Sequence, residues 1–199
     1  MEAVRRTVGV ETSTVGVPVA GMLDHDILTT MMTRAGVRPT AIRRAMPDIL
    51  RRAQAIYARS CPNLERKVCP GVRPLLSRLQ SRGVVIGLVT GNLTRIGWKK
   101  MEHAGLRHYF RFGAFAESAK DRAGLVRLAI RQARREGWIA RGSTISLIGD
   151  HPNDVRAARA NHVRAIAVAT GLAPMDELAA HGPDLLLPDL RHLKLEMLL

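Results

Sequence analysis

Aromatic residues make up only 4% of the 199-residue sequence, two Trp, two Tyr and three Phe. The interleaved aromatic and basic side chains with which single-strand binders stack bases are therefore scarce. Cysteine is scarcer still. Cys61 and Cys69 lie eight apart, a spacing that matches neither paired zinc ligands nor a CxxC redox pair, so both read as free thiols. No apolar run approaches the roughly 18–20 residues of a membrane span. The N-terminal MEAVRRTVGVETSTV also lacks the continuous apolar stretch of a signal peptide, and the expectation is a cytoplasmic protein with no membrane partner. Acidic residues are few, 17 against 31 Lys and Arg, leaving a formal charge of +14. With lysine confined to Lys67, Lys99, Lys100, Lys120 and Lys194, arginine carries nearly all of that charge. Arg43, Arg44, Arg51 and Arg52, and again Arg127, Arg131, Arg134 and Arg135, recur at spacings of solvated helix faces. Charge spread in this way describes a surface and argues against nucleic acid as a partner.

What is present is enough to fold. Hydrophobic residues at 46% and charged ones at 24% are ordinary for a globular chain, and the length allows one domain or one core with a small lobe. Residues 22–68 show no convincing strand; Ile27, Met31, Ile42, Ile49 and Ile56 recur at helical intervals. Gly36 and Pro39 interrupt this stretch, Pro47 reads as opening a further helix and Pro62 stops it. A small helical lobe over 1–68 is the expectation. After the breaker Cys69-Pro70-Gly71, VRPLLSRLQSRG reads as a helix closed by Gly83. VVIGLV then has the continuous apolar character of a strand buried on both faces of a parallel sheet. Helices follow over 94–103, 122–136, 154–161 and 175–180, alternating with strands TISLIG, AIAVAT and DLLL. This alternation predicts an α/β fold with an open, doubly wound parallel sheet and right-handed crossovers over 69–199.

In such sheets ligands bind beyond the carboxyl ends of the strands. After VVIGLV comes Thr90-Gly91-Asn92, and after TISLI comes Gly149-Asp150-His151-Pro152-Asn153-Asp154. Asp150 and Asp154, four apart across a strand end and the first turn of a helix, are placed to share one hard cation. Mg²⁺, which takes one or two carboxylates and keeps several waters, suits them. The alternative is that Asp154 caps the helix and Asp150 terminates the strand. Thr90 and Gly91 offer a hydroxyl and open backbone N–H groups to a phosphate oxygen, or else a plain polar turn. His151 reads as a loop residue, since imidazole is a poor Mg²⁺ ligand. Lys120 and Arg122 sit at a helix start, where cations oppose the macrodipole. That cost suggests a role.

VVIGLVTGN, a basic residue at a helix start and SLIGDHPND together resemble motifs two, three and four of the haloacid dehalogenase superfamily, and CPGVRPLLSRLQSRGVVIGLVTGN resembles the run from cap into core in its phosphoglycolate phosphatase-like members. The resemblance implies a phosphatase of a small phosphorylated metabolite. Thr90 would be the phosphate-binding hydroxyl, Gly91 and Asn92 the adjoining backbone, Arg122 the motif three base with Lys120 as runner-up, and Asp150 and Asp154 the Mg²⁺ ligands. Motif one of the family, an apolar strand followed by DxDx(T/V), supplies the nucleophilic Asp and an acid/base Asp. The only DxD here, Asp24-His25-Asp26, follows VPVAGML and lies 66 residues before Thr90. AGMLDHDILTTMM resembles instead a cap segment in which a Gly and an Asp introduce a helix; VGVETST, with Glu11 and Ser13, is a weaker substitute. The motif one strand belongs at the centre of the family's sheet, between the strands of motifs two and four. The expectation is therefore an incomplete core, unstable or inactive by itself, with Met1 an internal methionine of a longer protein. The rival is a non-catalytic remnant that binds phosphate or nucleic acid through its positive surface.

Overall fold

The computed structural model describes residues 1–198. Helices α1 (Glu2–Val8), α2 (Asp24–Arg34) and α3 (Pro39–Ser60) come first. Ala3 and Val4, Met32, and Ile42 and Ile49 close them into one buried cluster. The sequence pattern gave no sign of α1, which forms because Ala3 and Val4 are buried against α3. Pro47 does not open a helix but lies inside α3. An interior proline costs about 3 kcal/mol; the helix runs through it because Ile42 and Ile49, one on either side, are anchored in the cluster.

The rest alternates: α4 (Val72–Ser81), β1 (Gly87–Val89), α5 (Thr94–His103), β2 (Phe112–Ala114), α6 (Arg122–Arg135), β3 (Ser146–Gly149), α7 (Pro152–Ala160), β4 (Arg164–Val168), α8 (Met175–Ala180) and β5 (Leu185–Leu187). All strand pairings are parallel, and the α/β class is as the alternation predicts. On β4, Ile166 and Val168 join the cluster of α4, whereas Ala165 and Ala167 join that of α7 and α8, so helices cover both faces. β2 was not legible because Phe-Gly-Ala is three residues long with a glycine at its centre.

One expected sheet is two. β1 pairs with β2, and β3 with β4 and then β5; among the described residues β1 and β3 each keep a free parallel edge. The helix layers nevertheless run across both sheets. Leu75 and Leu79 of α4 belong to a cluster against which both Ile86 and Ile148 pack, while α6, over β1 and β2, lies against α7, over β3 and β4. The run VVIGLV is consequently not buried on both faces: Gly87 is exposed and its neighbours are half-buried, as is all of β3, whereas β4 is buried from Ala165 to Val168. A strand lacking a neighbour on one edge leaves both its ladder groups and part of its side chains to water. No helix among the described residues is long and apolar enough to cross a membrane.

Beyond β5 the chain is fastened by Asp189, buried, whose carboxylate accepts from the backbone N–H of Arg191 at 2.8 Å and from its guanidinium at 2.6–3.1 Å. The Arg191 hydrogen bonds hold the Asp189 carboxyl down at about 2. A carboxyl lowered in the fold stabilises it fully above the ordinary carboxyl range near pH 4 and loses that contribution as pH falls toward 2. Urea midpoints of the wild type and Asp189→Asn should therefore differ most at pH 6 and draw together as pH falls toward 2; a constant difference would contradict this assignment.

Candidate active site

The loops following β1 and β3 are joined by a third segment, Gly21–Asp24, which precedes and opens α2. Asp24 N donates to Gly91 O at 2.7 Å, and its carboxylate accepts from Leu93 N at 2.8 Å and from Asn92 Nδ2 at 3.2 Å. Three residues earlier, Gly21 O accepts from Asn153 Nδ2 at 2.9 Å. At Gly21 φ is +68°, and a Cβ there would lie 2.4 Å from the His151 imidazole; a Cβ on Gly91 would lie 2.5 Å from Met22 O. Because the adjacent residues Gly21 and Met22 make these two close contacts, the Thr90–Asn92 loop and the His151 turn are on the order of 10 Å apart. Gly21→Ala should pull this segment off the His151 turn and destabilise by about 1–2 kcal/mol, since both the backbone conformation and the space demand glycine. A chemical-denaturation midpoint unchanged from wild type would show that the bridge is not tightly held.

The β3 end is built around Asp154. His151 is the N-cap of α7: its Nδ1 accepts from Asn153 N at 3.1 Å, and Asp154 Oδ2 accepts from His151 N at 3.2 Å, so cap and third residue satisfy each other. Asp154 folds back so closely that a Cβ on Gly149 would lie 2.3 Å from its carboxyl carbon; only glycine fits before Asp150. Its other oxygen, Oδ1, pairs with Arg122 Nη1 at 3.1 Å, both side chains being largely buried. Burial raises the Asp154 carboxyl above its ordinary range; Arg122 opposes that rise and Asp150 adds to it. Arg122 Nε is buried with no partner, leaving one donor free for a further acceptor. Pairing with Asp154 supplies the reason for a cation in the first turn of α6, whose N-cap, Asp121, accepts from Gly124 N at 2.6 Å.

The remaining residues singled out by sequence divide. Asp150 is exposed at the end of β3, its Oδ2 against Gly171 beyond β4. Thr90 is half-buried, its Oγ1 accepting from Asn92 N at 3.2 Å. The Asn92 side chain is committed to Asp24 and, through Oδ1, to Lys100 Nζ at 2.8 Å, and its carbonyl accepts from Ala116 N at 3.0 Å, so the residue is engaged on every side within the loop. Lys120 and Arg122 line a cleft of about 380 Å³ with Asp26, Asn153 and Arg156; Thr90 and Asp150 lie outside it. Asp24 follows turns rather than a strand, and its carboxylate is already used; Glu11 is exposed on Arg5. The sequence reading did not single out Gly21 or Asn153, although Gly21 stands in the segment whose Gly and Asp introduce α2.

For Mg²⁺ the donor chemistry fits in kind and is short in number. Asp150 and Asp154 offer hard oxygens, with Asp150 near enough for its charge to raise the Asp154 carboxyl, but among the described residues no three His, Cys, Asp or Glu side chains gather. Asp154 is moreover shared with Arg122.

Parallel strands between helix layers, with a Thr-Gly-Asn loop after one strand and Gly-Asp with a second Asp after another, define an α/β core whose candidate site lies beyond the carboxyl ends of its strands. A profile of the haloacid dehalogenase-like hydrolases matches residues 22–168, and the chain belongs to that family. It is 31% identical over 163 residues to a phosphoglycolate phosphatase of Synechococcus elongatus, covering 79% of this chain and 69% of that one. It is also 31% identical over 126 residues to a phosphoserine phosphatase of Thermus thermophilus, covering 61% of this chain and 48% of the relative, so it spans about half the latter's length. Among solved structures, a β-phosphoglucomutase from Clostridium difficile superposes with TM-score 0.68 at 15% identity, over 98% of this chain and 86% of that one. A hydrolase from Pseudomonas syringae gives 0.63 at 16%, over 95% and 84%. At these identities the structures support the fold alone.

Proposed function

We propose that the chemistry this site is built for is Mg²⁺-dependent hydrolysis of a small phosphomonoester of the phosphoglycolate type, carried out once an aspartate nucleophile is supplied. The observation that carries this reading is the bridge from Gly91 to Asn153 through Gly21–Asp24, which draws the Thr90 loop and the Asp150–Asp154 turn toward one place. Thr90 Oγ1 and the Gly91 backbone would receive phosphoryl oxygens. Arg122, steadied on Asp154, would turn its remaining N–H groups toward the nucleophile and the phosphoryl group, with Lys120 at the rim of the same cleft. Asp150 and Asp154 would hold Mg²⁺, which when bound supplies positive charge against the phosphate. Most of the barrier reduction would be electrostatic.

The reading also requires an aspartate nucleophile. Its place would be between the free edges of β1 and β3, where a strand pairing with both would end beside Thr90 and Asp150. The residues before α2, as one unit with α2 and α3, would form the cap over this end, with the core from about residue 69 onward. Relatives in the superfamily that dehalogenate use the same nucleophile and no cation, so the paired acids Asp150 and Asp154 favour phosphate. The test is turnover of p-nitrophenyl phosphate with Mg²⁺ once a strand ending in Asp-x-Asp occupies the gap, and its loss in Asp150→Asn.

A further inference from the structure

We propose a second anion site, at the opposite end of the sheet, for a small multiply charged phosphate such as a di- or triphosphate group. In a parallel sheet the two ends differ, and the residues above occupy the carboxyl ends. The amino ends of β3 and β4 open into a cleft of about 470 Å³, a size suited to a small ligand. Three segments contribute arginines to its lining. Arg127, Arg131 and Arg134 stand at i, i+4 and i+7 along the exposed side of α6; Arg141 comes from the loop leading into β3; Arg164 is the first residue of β4.

No Asp or Glu lines the cleft. None of the five guanidiniums pairs with a carboxylate among the described residues, whereas the neighbouring Arg135 does, with Glu136 at 2.8 Å. A surplus of fourteen positive charges leaves many arginines unpaired; what distinguishes these five is convergence on one concavity. Like charges at helical spacing repel by a few tenths of a kcal/mol per pair, a cost that a bound polyanion removes. Arg134 Nη2 reaches the Arg141 carbonyl at 3.5 Å, tying helix and loop across the cleft. Guanidinium forks match phosphate oxygens bidentately. A concavity with no Phe, Tyr or Trp among its lining residues suits a compact anion better than a base-stacked strand.

The experiment is calorimetric titration of the protein with sodium tripolyphosphate, pyrophosphate and sulfate at about 150 mM salt. The expected result is one saturable site, tighter for tripolyphosphate than for sulfate by at least about tenfold. Arg131→Glu with Arg164→Glu should weaken it by at least about tenfold, while Arg43→Glu with Arg44→Glu, the same charge change on the exposed side of α3, should leave it within about twofold. Should the Arg164 variant fail to fold, Arg127→Gln with Arg131→Gln, both exposed, carries the same expectation. Equal losses in the α3 and cleft variants would mean diffuse attraction and overturn the site. Tighter binding of a single-stranded oligonucleotide, lost in the cleft variants, would overturn the small-anion assignment in favour of nucleic acid.

Discussion

Replacing Arg122 with methionine is expected to destabilise the protein by about 3 kcal/mol near neutral pH, the usual consequence of removing one member of a buried ion pair. The magnitude follows from geometry: side-chain exposures are 16% for Arg122 and 11% for Asp154, so solvent screens the pair little. The sign of the pH dependence follows from Asp154. Its carboxyl is already raised by burial despite Arg122, and losing the guanidinium raises it further. A carboxyl raised in the fold lowers stability as pH climbs from the ordinary carboxyl range through the raised value. The penalty of Arg122→Met should therefore be full well above the raised Asp154 value and shrink as pH falls through it toward the ordinary carboxyl range. Arg122→Lys should recover less than half, because an ammonium lacks the planar fork. Urea midpoints across pH 4–8 provide the check, and a loss under about 1 kcal/mol, or one independent of pH, would show that the pair is not the anchor of this end of the sheet.

An added strand is expected to have the larger effect on both stability and activity. A segment of about five apolar residues followed by Asp-x-Asp, fused ahead of the chain, would pair with β1 on one side and β3 on the other. At roughly 0.5–1.5 kcal/mol for each net hydrogen bond, several bonds amount to about 5 kcal/mol. For a chain of this size each kcal/mol moves the melting temperature by about 2–4 °C, giving a rise of about 10–20 °C. The extended protein should hydrolyse p-nitrophenyl phosphate with Mg²⁺, whereas the 199-residue chain should do so at the uncatalysed rate. Substituting Asn-x-Asn in the extension should keep the higher melting temperature and abolish turnover, which separates the strand's structural part from its chemistry. Asp150→Asn should lower turnover by at least about a hundredfold. An unchanged melting temperature would show that the gap does not accept a strand; a raised one without turnover would refute the phosphatase reading.

The sequence disclosed the parts of the fold that depend on local patterning. The alternation of apolar runs with helical stretches, the first of them closed by Gly83, was enough to place α4 to α8 and the parallel class. It could not show that β1 and β3 lie in separate sheets, although the expectation of an incomplete core gave reason to look for a disturbance there. VVIGLV has the composition of a doubly buried strand whether or not a neighbour covers its second edge. β2 and α1 were illegible for a related reason, each being held by tertiary contact. At the site, Thr90, Gly91, Asp150 and Asp154 could be read because turn and helix-start chemistry is local. The Arg122–Asp154 pair joins residues 32 apart in sequence, and the placement of Gly21 against His151 joins residues 130 apart. Such pairings emerge only after α6, α7 and the segment before α2 have packed. The capping and metal readings of Asp154 are also less opposed than spacing suggests: Oδ2 caps α7 while Oδ1 faces Arg122.

The central claim is that the turns after β1 and β3 serve one divalent ion and one phosphate. It is tested most directly by adding Mn²⁺, a paramagnetic substitute for Mg²⁺, to the ¹⁵N-labelled protein in the presence of inorganic phosphate and recording which backbone amides broaden. The account predicts that Thr90–Asn92 and Gly149–Asp154 broaden together at the same Mn²⁺ concentration, and that Asp150→Asn abolishes both effects. Broadening confined to one of the two turns, or spread over acidic residues elsewhere, would contradict it.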